Sequence, residues 1–280
     1  MTVKAALIWA QKKIAASSKS PALDAEVLLA FVLKTDRAGL FREPEQVLTV
    51  GQKRFYAGLI ARRARFEPVA YLTGVKEFYS RPFAVSLHVL IPRPETETLI
   101  DAVIHDWRGA VKPVIIDVGT GSGAIAITLC KELPSAMVMA TDLSAAALAQ
   151  ARKNAKRLQA KVKFFQANLL GNVLKKIAEP AIIAANLPYL TAAQMKKLPP
   201  DVRYEPRQAL NGGVDGLKWY RALLTQIKKT PEKIRAVYLE ADPRQMRPLK
   251  KIFRRVWPHA SVEIIKDLAG KSRVFVMRMD

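Results

Sequence analysis

The chain has 280 residues, half of them hydrophobic, which is enough for one large domain or a small domain plus a larger one and excludes a largely disordered protein. Lysine and arginine number 46 against 24 aspartates and glutamates, a net charge of +22 that suits acidic partners, nucleic acid among them. The cations are scattered as short pairs such as Arg62-Arg63, Lys228-Lys229 and Arg254-Arg255, so solvated helix faces explain the charge about as well as a binding stripe does.

The first third reads as helices. Val3, Leu7, Ala10 and Ile14 recur at helical spacing. Ser20-Pro21 is a start signal, with Asp24 and Glu26 in the early turns of a helix running through Val27–Leu33. Thr49-Val50-Gly51-Gln52 fits a capping box opening a third helix toward Arg65. Residues 1–66 are therefore expected to form a small helical domain that contacts a partner or substrate. Residues 67–91 are expected to be a hairpin connector, with Tyr71–Gly74 and Phe78–Val85 read as short strands around turns. Leu90–Glu97 then leads rigidly into a helix whose acidic first turn suits the helix dipole.

From Pro113 onward strands and helices alternate. Val114–Val118, Met137–Thr141, Val162–Phe165, Ala181–Ala185 and Ala236–Glu240 are the predicted strands, and Ser261–Ile265 with Arg273–Met277 is expected to close the chain as an antiparallel hairpin. Residues 92–280 thus predict a doubly wound α/β sheet whose ligand lies at the carboxyl ends of the strands. The only cysteine, Cys130, excludes an intrachain disulfide and a thiolate zinc cluster, and His88, His105 and His259 lack metal-ligand spacing. The first residues lack a signal-peptide pattern and no apolar run approaches the ~20 residues of a membrane span, so a soluble cytoplasmic protein is expected.

Polar groups follow four successive strands. Gly119, Thr120, Gly121, Ser122 and Gly123 form a glycine-rich turn before a helix, where the backbone can approach a ligand and free amides point outward. The spacing differs from the G-x-G-x-x-G dinucleotide fingerprint and lacks the P-loop Lys-Ser/Thr ending, which disfavours NAD, FAD and ATP hydrolysis. Asp142 can accept from two ribose hydroxyls; Asn168 can bond an adenine edge while Leu169 packs on the ring. After the fourth strand comes Asn186-Leu187-Pro188-Tyr189. Asn186 Oδ1 can accept one hydrogen of an –NH2 group, and Leu187, held extended by the following proline, can offer its carbonyl to the other. Pro188 fixes the turn and the Tyr189 ring can cover a flat amide or base. Taken alone, the tetrad reads equally as an ordinary turn.

Several segments together carry a family resemblance: Glu67–Gly74, Lys76–Tyr79, Leu90–Glu97, Asp117–Gly123, Asn186–Tyr189, and Tyr204–Arg207 with Gly212–Leu217. Their order and nearly full-length span resemble the HemK-type release-factor glutamine N5-methyltransferases. The resemblance implies a helical N-terminal domain on a seven-stranded, Rossmann-like, class I S-adenosylmethionine-dependent methyltransferase fold. It implies S-adenosylmethionine against Gly119–Gly123, Asp142, Asn168, Leu169 and Asn186. It also implies that the Gly-Gly-Gln glutamine of a peptide chain release factor enters at Asn186, Leu187, Pro188 and Tyr189, with Asn186, Pro188 and Tyr189 as the catalytic set and no metal. Two positions depart from the usual pattern. Leu187 stands where the family usually has proline, giving the Asn-Leu-Pro-Tyr form familiar from rRNA adenine dimethyltransferases, and Asn168 stands where it usually has aspartate. A nucleic-acid adenine N6-methyltransferase and a cofactor-binding adaptor without catalysis therefore remain as rivals. The helical domain and connector favour the first reading, and the intact tetrad disfavours the adaptor.

Overall fold

The structure is a computed structural model that describes residues 1–279. The chain divides into two compact units, residues 1–75 joined by 199–204, and residues 76–198 with 205–280.

The first unit is helical. Helices α1 (Val3–Ile14), α2 (Pro21–Leu33), α3 (Arg37–Arg42), α4 (Val50–Arg63) and α5 (Val69–Thr73) pack around Ala6, Ala10, Ile14, Leu28, Leu29, Leu59 and the buried Tyr56, whose hydroxyl donates to the Ala25 carbonyl. Thr49 and Gln52 form the expected capping box, but the helix they open is the fourth. The six-residue α3, capped by Asp36, is too short to carry a readable period. Ser20 sits at the N-cap of α2, as read, without making a side-chain cap bond.

Tyr71–Gly74 was expected as a strand and is instead the end of α5 followed by its terminator. Gly74 takes the left-handed conformation (φ 73°), Thr73 bonds back to the Val69 carbonyl, and Tyr71 and Leu72 are buried. The following strand pair is β1 (Val75–Phe78) and β2 (Arg81–Ala84), and the boundary between the two units falls just after Val75. Tyr79 and Ser80 are the turn between them, and both have positive φ, the geometry that matches strand twist in a two-residue hairpin. No glycine or asparagine advertises it. The turn is held because Tyr79 N–H donates to Glu97 Oε1 at 2.8 Å and the Tyr79 hydroxyl to Asp101.

The second unit continues with α6 (Glu97–Trp107), β3 (Val114–Val118), α7 (Ala124–Glu132), β4 (Met137–Asp142), α8 (Ala145–Arg157), β5 (Val162–Gln166), β6 (Ala181–Ala185), α9 (Ala192–Lys196), α10 (Lys218–Ile227), β7 (Ile234–Glu240), α11 (Met246–Arg254), β8 (Ser261–Lys266) and β9 (Ser272–Arg278). Seven strands form one sheet in the order β5-β4-β3-β6-β7-β9-β8. The first five are parallel, and β9 runs antiparallel to both β7 and β8. The expected closing hairpin is thus present, as β8 and β9. Strands β3 and β6 are buried along their whole length, as their unbroken Val/Ile/Ala runs require for a sheet covered on both faces. The order reverses between β3 and β6, and at such a point the loops diverge and open a crevice beyond the strand ends.

Candidate active site

That crevice is a cavity within the second unit, and its walls come from the ends of β3, β4, β5 and β6. Gly119, Thr120, Gly121, Ser122, Asp142, Asn168, Leu169, Asn186, Leu187 and Pro188 all line it. Gly123 and Tyr189 do not line it. Four chain segments far apart in sequence converge here because parallel strands in register put their carboxyl ends on one edge. Val118 lies opposite Thr141, Asp142 opposite Gln166, and Asp117 opposite Ala184.

The glycine turn is set from below and from the side. At the end of β3 the buried Asp117 accepts from the Thr120 hydroxyl (2.6 Å) and from Ala126 N–H (3.1 Å) with one oxygen, and burial pushes its carboxyl up to about 7. The Gly119 and Thr120 amides both donate to the Thr141 carbonyl of β4 at 2.9 Å. Gly121 N–H donates to Asp142 Oδ2, and Asp142 Oδ1 accepts from Ser144 N–H, each at 2.9 Å. Burial raises the Asp142 carboxyl, and these amide bonds oppose the rise. An ionised carboxylate has about four acceptor sites, so acceptor capacity remains after these amides are served. Gly121 has φ +54°, and a Cβ built on it would meet no protein atom within 4 Å; the turn leaves room for a ligand to approach main chain. Beneath, Asn154 of α8 donates to the Ser122 and Ala84 carbonyls and accepts from Ala84 N–H, fastening the turn to β2. Leu169 is buried with its backbone in the left-handed region (φ 56°), and Asn168 is exposed.

The tetrad is braced from the opposite wall. Asn186 Nδ2 donates to Thr96 Oγ1 at 3.0 Å, and Thr96 Oγ1 donates to Glu240 Oε2 at 2.6 Å. The Leu187 side chain is buried, with its Cδ2 beside Gly119. Tyr189 OH lies 3.4 Å from Glu240 Oε1, and burial raises its phenol. The main chain beyond it pairs with a distant segment: Leu190 N–H donates to the Leu210 carbonyl, Gly212 N–H to that of Leu190, and Gln245 Nε2 to that of Tyr189 at 2.9 Å. Gly216 is required there. A Cβ would lie 2.3 Å from the Tyr189 carbonyl oxygen and 2.1 Å from Gln245 Nε2, at φ +76°. Pro206 lines the cavity, and beside it buried Glu205 pairs with Arg93 and accepts from Ile91 N–H at 3.2 Å.

Sequence reasoning did not single out Thr96, Glu240, Asn154, Gln245 or the Arg93–Glu205 pair. Thr96 and Arg93 stand in a quoted segment, Leu90–Glu97, whose specific texture is the one signal that could have pointed to them. Glu240 was visible only as the last residue of a strand.

Comparisons with known proteins agree with this architecture. A family model described as the PrmC N-terminal domain matches residues 5–74, and one described as the methyltransferase small domain matches residues 96–198. A release factor glutamine methyltransferase of Koribacter versatilis is 40% identical over 99% of this chain and 99% of its own. One of Bacillus cereus is 34% identical over the full length of both. Among solved structures, the catalytic domain of hMettl16 in complex with MAT2A 3'UTR hairpin 6 superposes with a TM-score of 0.60 over 78% of this chain and 82% of that one. At 18% identity this likeness shows the methyltransferase fold alone.

Proposed function

Because the chain belongs to the release factor glutamine methyltransferase family, we propose that it transfers a methyl group from S-adenosylmethionine to the side-chain amide N5 of the glutamine in the Gly-Gly-Gln motif of peptide chain release factors. The observation that carries this reading is the Asn186 amide at the cavity wall, its nitrogen held by Thr96 and its oxygen left to accept. A cytoplasmic place of action belongs to the same proposal.

The donor set fits the cofactor. The Gly119–Ser122 turn lines the cavity and, at Gly121, leaves an open side for close main-chain approach, while Asp142 keeps acceptor capacity for a hydroxyl and Asn168 and Leu169 offer a polar edge and an apolar face. When bound, S-adenosylmethionine supplies an electrophilic methyl group on a sulfonium. The protein's own share is positioning. An amide nitrogen is a poor nucleophile because its lone pair is delocalised into the carbonyl. If Asn186 Oδ1 and the Leu187 carbonyl accept its two hydrogens, the nitrogen is aimed and charge building on it is favoured. Fixing the reactants in this way can contribute several kcal/mol, with ~7–11 kcal/mol at the limit. Neither Pro188 nor Tyr189 acts as a base in this scheme. Pro188 shapes the turn, and Tyr189, outside the cavity lining, contacts Glu240 through its hydroxyl.

The deciding experiment is mass spectrometry after incubation with labelled S-adenosylmethionine and either a bacterial release factor or ribosomal RNA. A methyl group on the Gly-Gly-Gln glutamine is the expected result. Label found only as methyladenosine in the RNA, with the release factor unmodified, would transfer the assignment to an adenine N6-methyltransferase.

A further inference from the structure

We infer that Thr96 and Glu240 are positioning residues for methyl transfer, acting through the Asn186 side chain to keep its Oδ1 turned toward the cavity. The inference rests on the acceptor role proposed above for Asn186 and extends it to two residues outside the tetrad.

The geometry follows from the sheet. Ala185 of β6 lies opposite Leu239 of β7, so Asn186 and Glu240 are the next residues along two adjacent parallel strands. Thr96 arrives from the turn before α6, and both it and Glu240 are buried, at 4% and 1% exposure. A hydroxyl has a single hydrogen. With Glu240 ionised, as it is above about pH 7, the Thr96 hydroxyl spends its hydrogen on Oε2 at 2.6 Å and can face Asn186 only as an acceptor. The Asn186 atom 3.0 Å away must then be Nδ2, which leaves Oδ1 as the end presented to a ligand. An amide rotated by half a turn would set its own donor against a substrate –NH2, which also donates. The hydroxyl at position 96 therefore decides the polarity of the Asn186 amide, and the buried carboxylate decides the polarity of the hydroxyl.

The carboxylate is itself held in place. Its Oε1 lies 3.4 Å from the Tyr189 hydroxyl, and the Glu240 carbonyl accepts from the buried Tyr220 hydroxyl at 2.6 Å. Arg273 of β9 and Glu95 of the turn before α6 act on it electrostatically. One buried residue thus touches both polar side chains of the tetrad through a single chain of bonds.

The test uses Thr96→Val, which keeps the shape and removes the hydroxyl, with Thr96→Ser, Asn186→Ala and the Thr96→Val/Asn186→Ala double variant. Steady-state kinetics with a release factor and calorimetry with S-adenosylmethionine are measured on each, and hydrogen exchange at the Asn186 side-chain amide by 15N NMR on those that keep Asn186. For Thr96→Val, kcat should fall roughly tenfold or more while KM and cofactor affinity stay within about twofold. Exchange at the Asn186 amide should accelerate, and Thr96→Ser should restore both readouts. In the Asn186→Ala background, Thr96→Val should cause no further loss, because the two residues act as one unit. Unchanged kcat in Thr96→Val, equal loss in Thr96→Ser, or an undiminished further loss in the double variant would overturn the inference. If Thr96→Val fails to fold, Thr96→Ala serves as the hydroxyl-free variant with the same expectations. A wild-type protein inactive on release factors would remove the proposed substrate, and the amide-exchange comparison would then decide the positioning role by itself.

Discussion

Gly121 N–H donates to Asp142 Oδ2 at 2.9 Å, so the glycine turn after β3 is tied to the residue that ends β4. The same carboxylate serves the first turn of α8 through Ser144 N–H. Asp142→Ala should therefore act twice, removing an acceptor for the cofactor and releasing the Gly121 main chain. A charge-assisted hydrogen bond is worth roughly 1.5–3 kcal/mol, so S-adenosylmethionine affinity should fall about tenfold to a hundredfold. Calorimetry measures it; affinity within twofold of wild type would remove Asp142 from the cofactor site.

Asn186→Ala separates binding from chemistry. The glycine turn does not depend on Asn186, so cofactor affinity should stay nearly normal. Methyl transfer should drop roughly a hundredfold or more, as on removing one group that stabilises a transition state. An alanine variant with full turnover would reduce the tetrad to a turn.

Gly216→Ala probes the brace behind the tetrad. The added methyl would collide with the Tyr189 carbonyl oxygen and with Gln245 Nε2, and the backbone would sit at φ +76°. Left-handed backbone alone costs an L-residue about 1–2 kcal/mol, and overpacking adds about 1–3 kcal/mol. The melting temperature should fall by several degrees, and single-turnover transfer should slow more than cofactor binding weakens. A variant with wild-type stability and rate would show that Tyr189 does not depend on this contact.

Asp117 gives the pH dependence its sign. Its carboxyl sits at about 7 in the folded protein against an ordinary 3.8, and one of its oxygens is buried without a partner among the described residues. Between about pH 4 and pH 7 the folded chain holds a proton that the unfolded chain has released. Stability from this group is therefore complete below about pH 4 and is lost as the pH rises through 7. Glu240, raised by burial to about 7, has the same sign. Asp117→Asn keeps an acceptor for Thr120 and Ala126 and cannot ionise, so its melting temperature relative to wild type should climb between pH 5 and pH 8. A constant difference across that range would contradict the burial of a titrating carboxyl here.

The strands were legible because buried parallel strands need unbroken apolar runs, which Val114–Val118 and Ala181–Ala185 supply. The groups at their carboxyl ends followed from the rule that parallel order brings those ends together. What sequence could not show was partnership across that edge. Glu240 ends a strand, as many acidic residues do, and only the β6–β7 register sets it beside Asn186. The exact position of the turn in Phe78–Val85 was not legible for another reason: the positive φ values of Tyr79 and Ser80 are sustained by Glu97 and Asp101, from a helix later in the chain, not by turn residues. At α5, five residues are too few to distinguish a helical period from an alternating one.

The bond from Thr96 to Glu240 joins residues 144 positions apart, and β7 is itself flanked by β9 at the end of the chain. During synthesis, Asn186 emerges well before the strand that carries its orienting carboxylate. Pairing of such sequence-distant strands is slow, because the intervening loop must close before any contact rewards it. The ribosome can thus hold the whole tetrad, the glycine turn and Asp142 outside its exit while the Asn186 amide still lacks a defined direction. Competence comes with the last strands, so a chain cut short between Tyr189 and β7 would carry every residue of the tetrad and not the carboxylate that aims it.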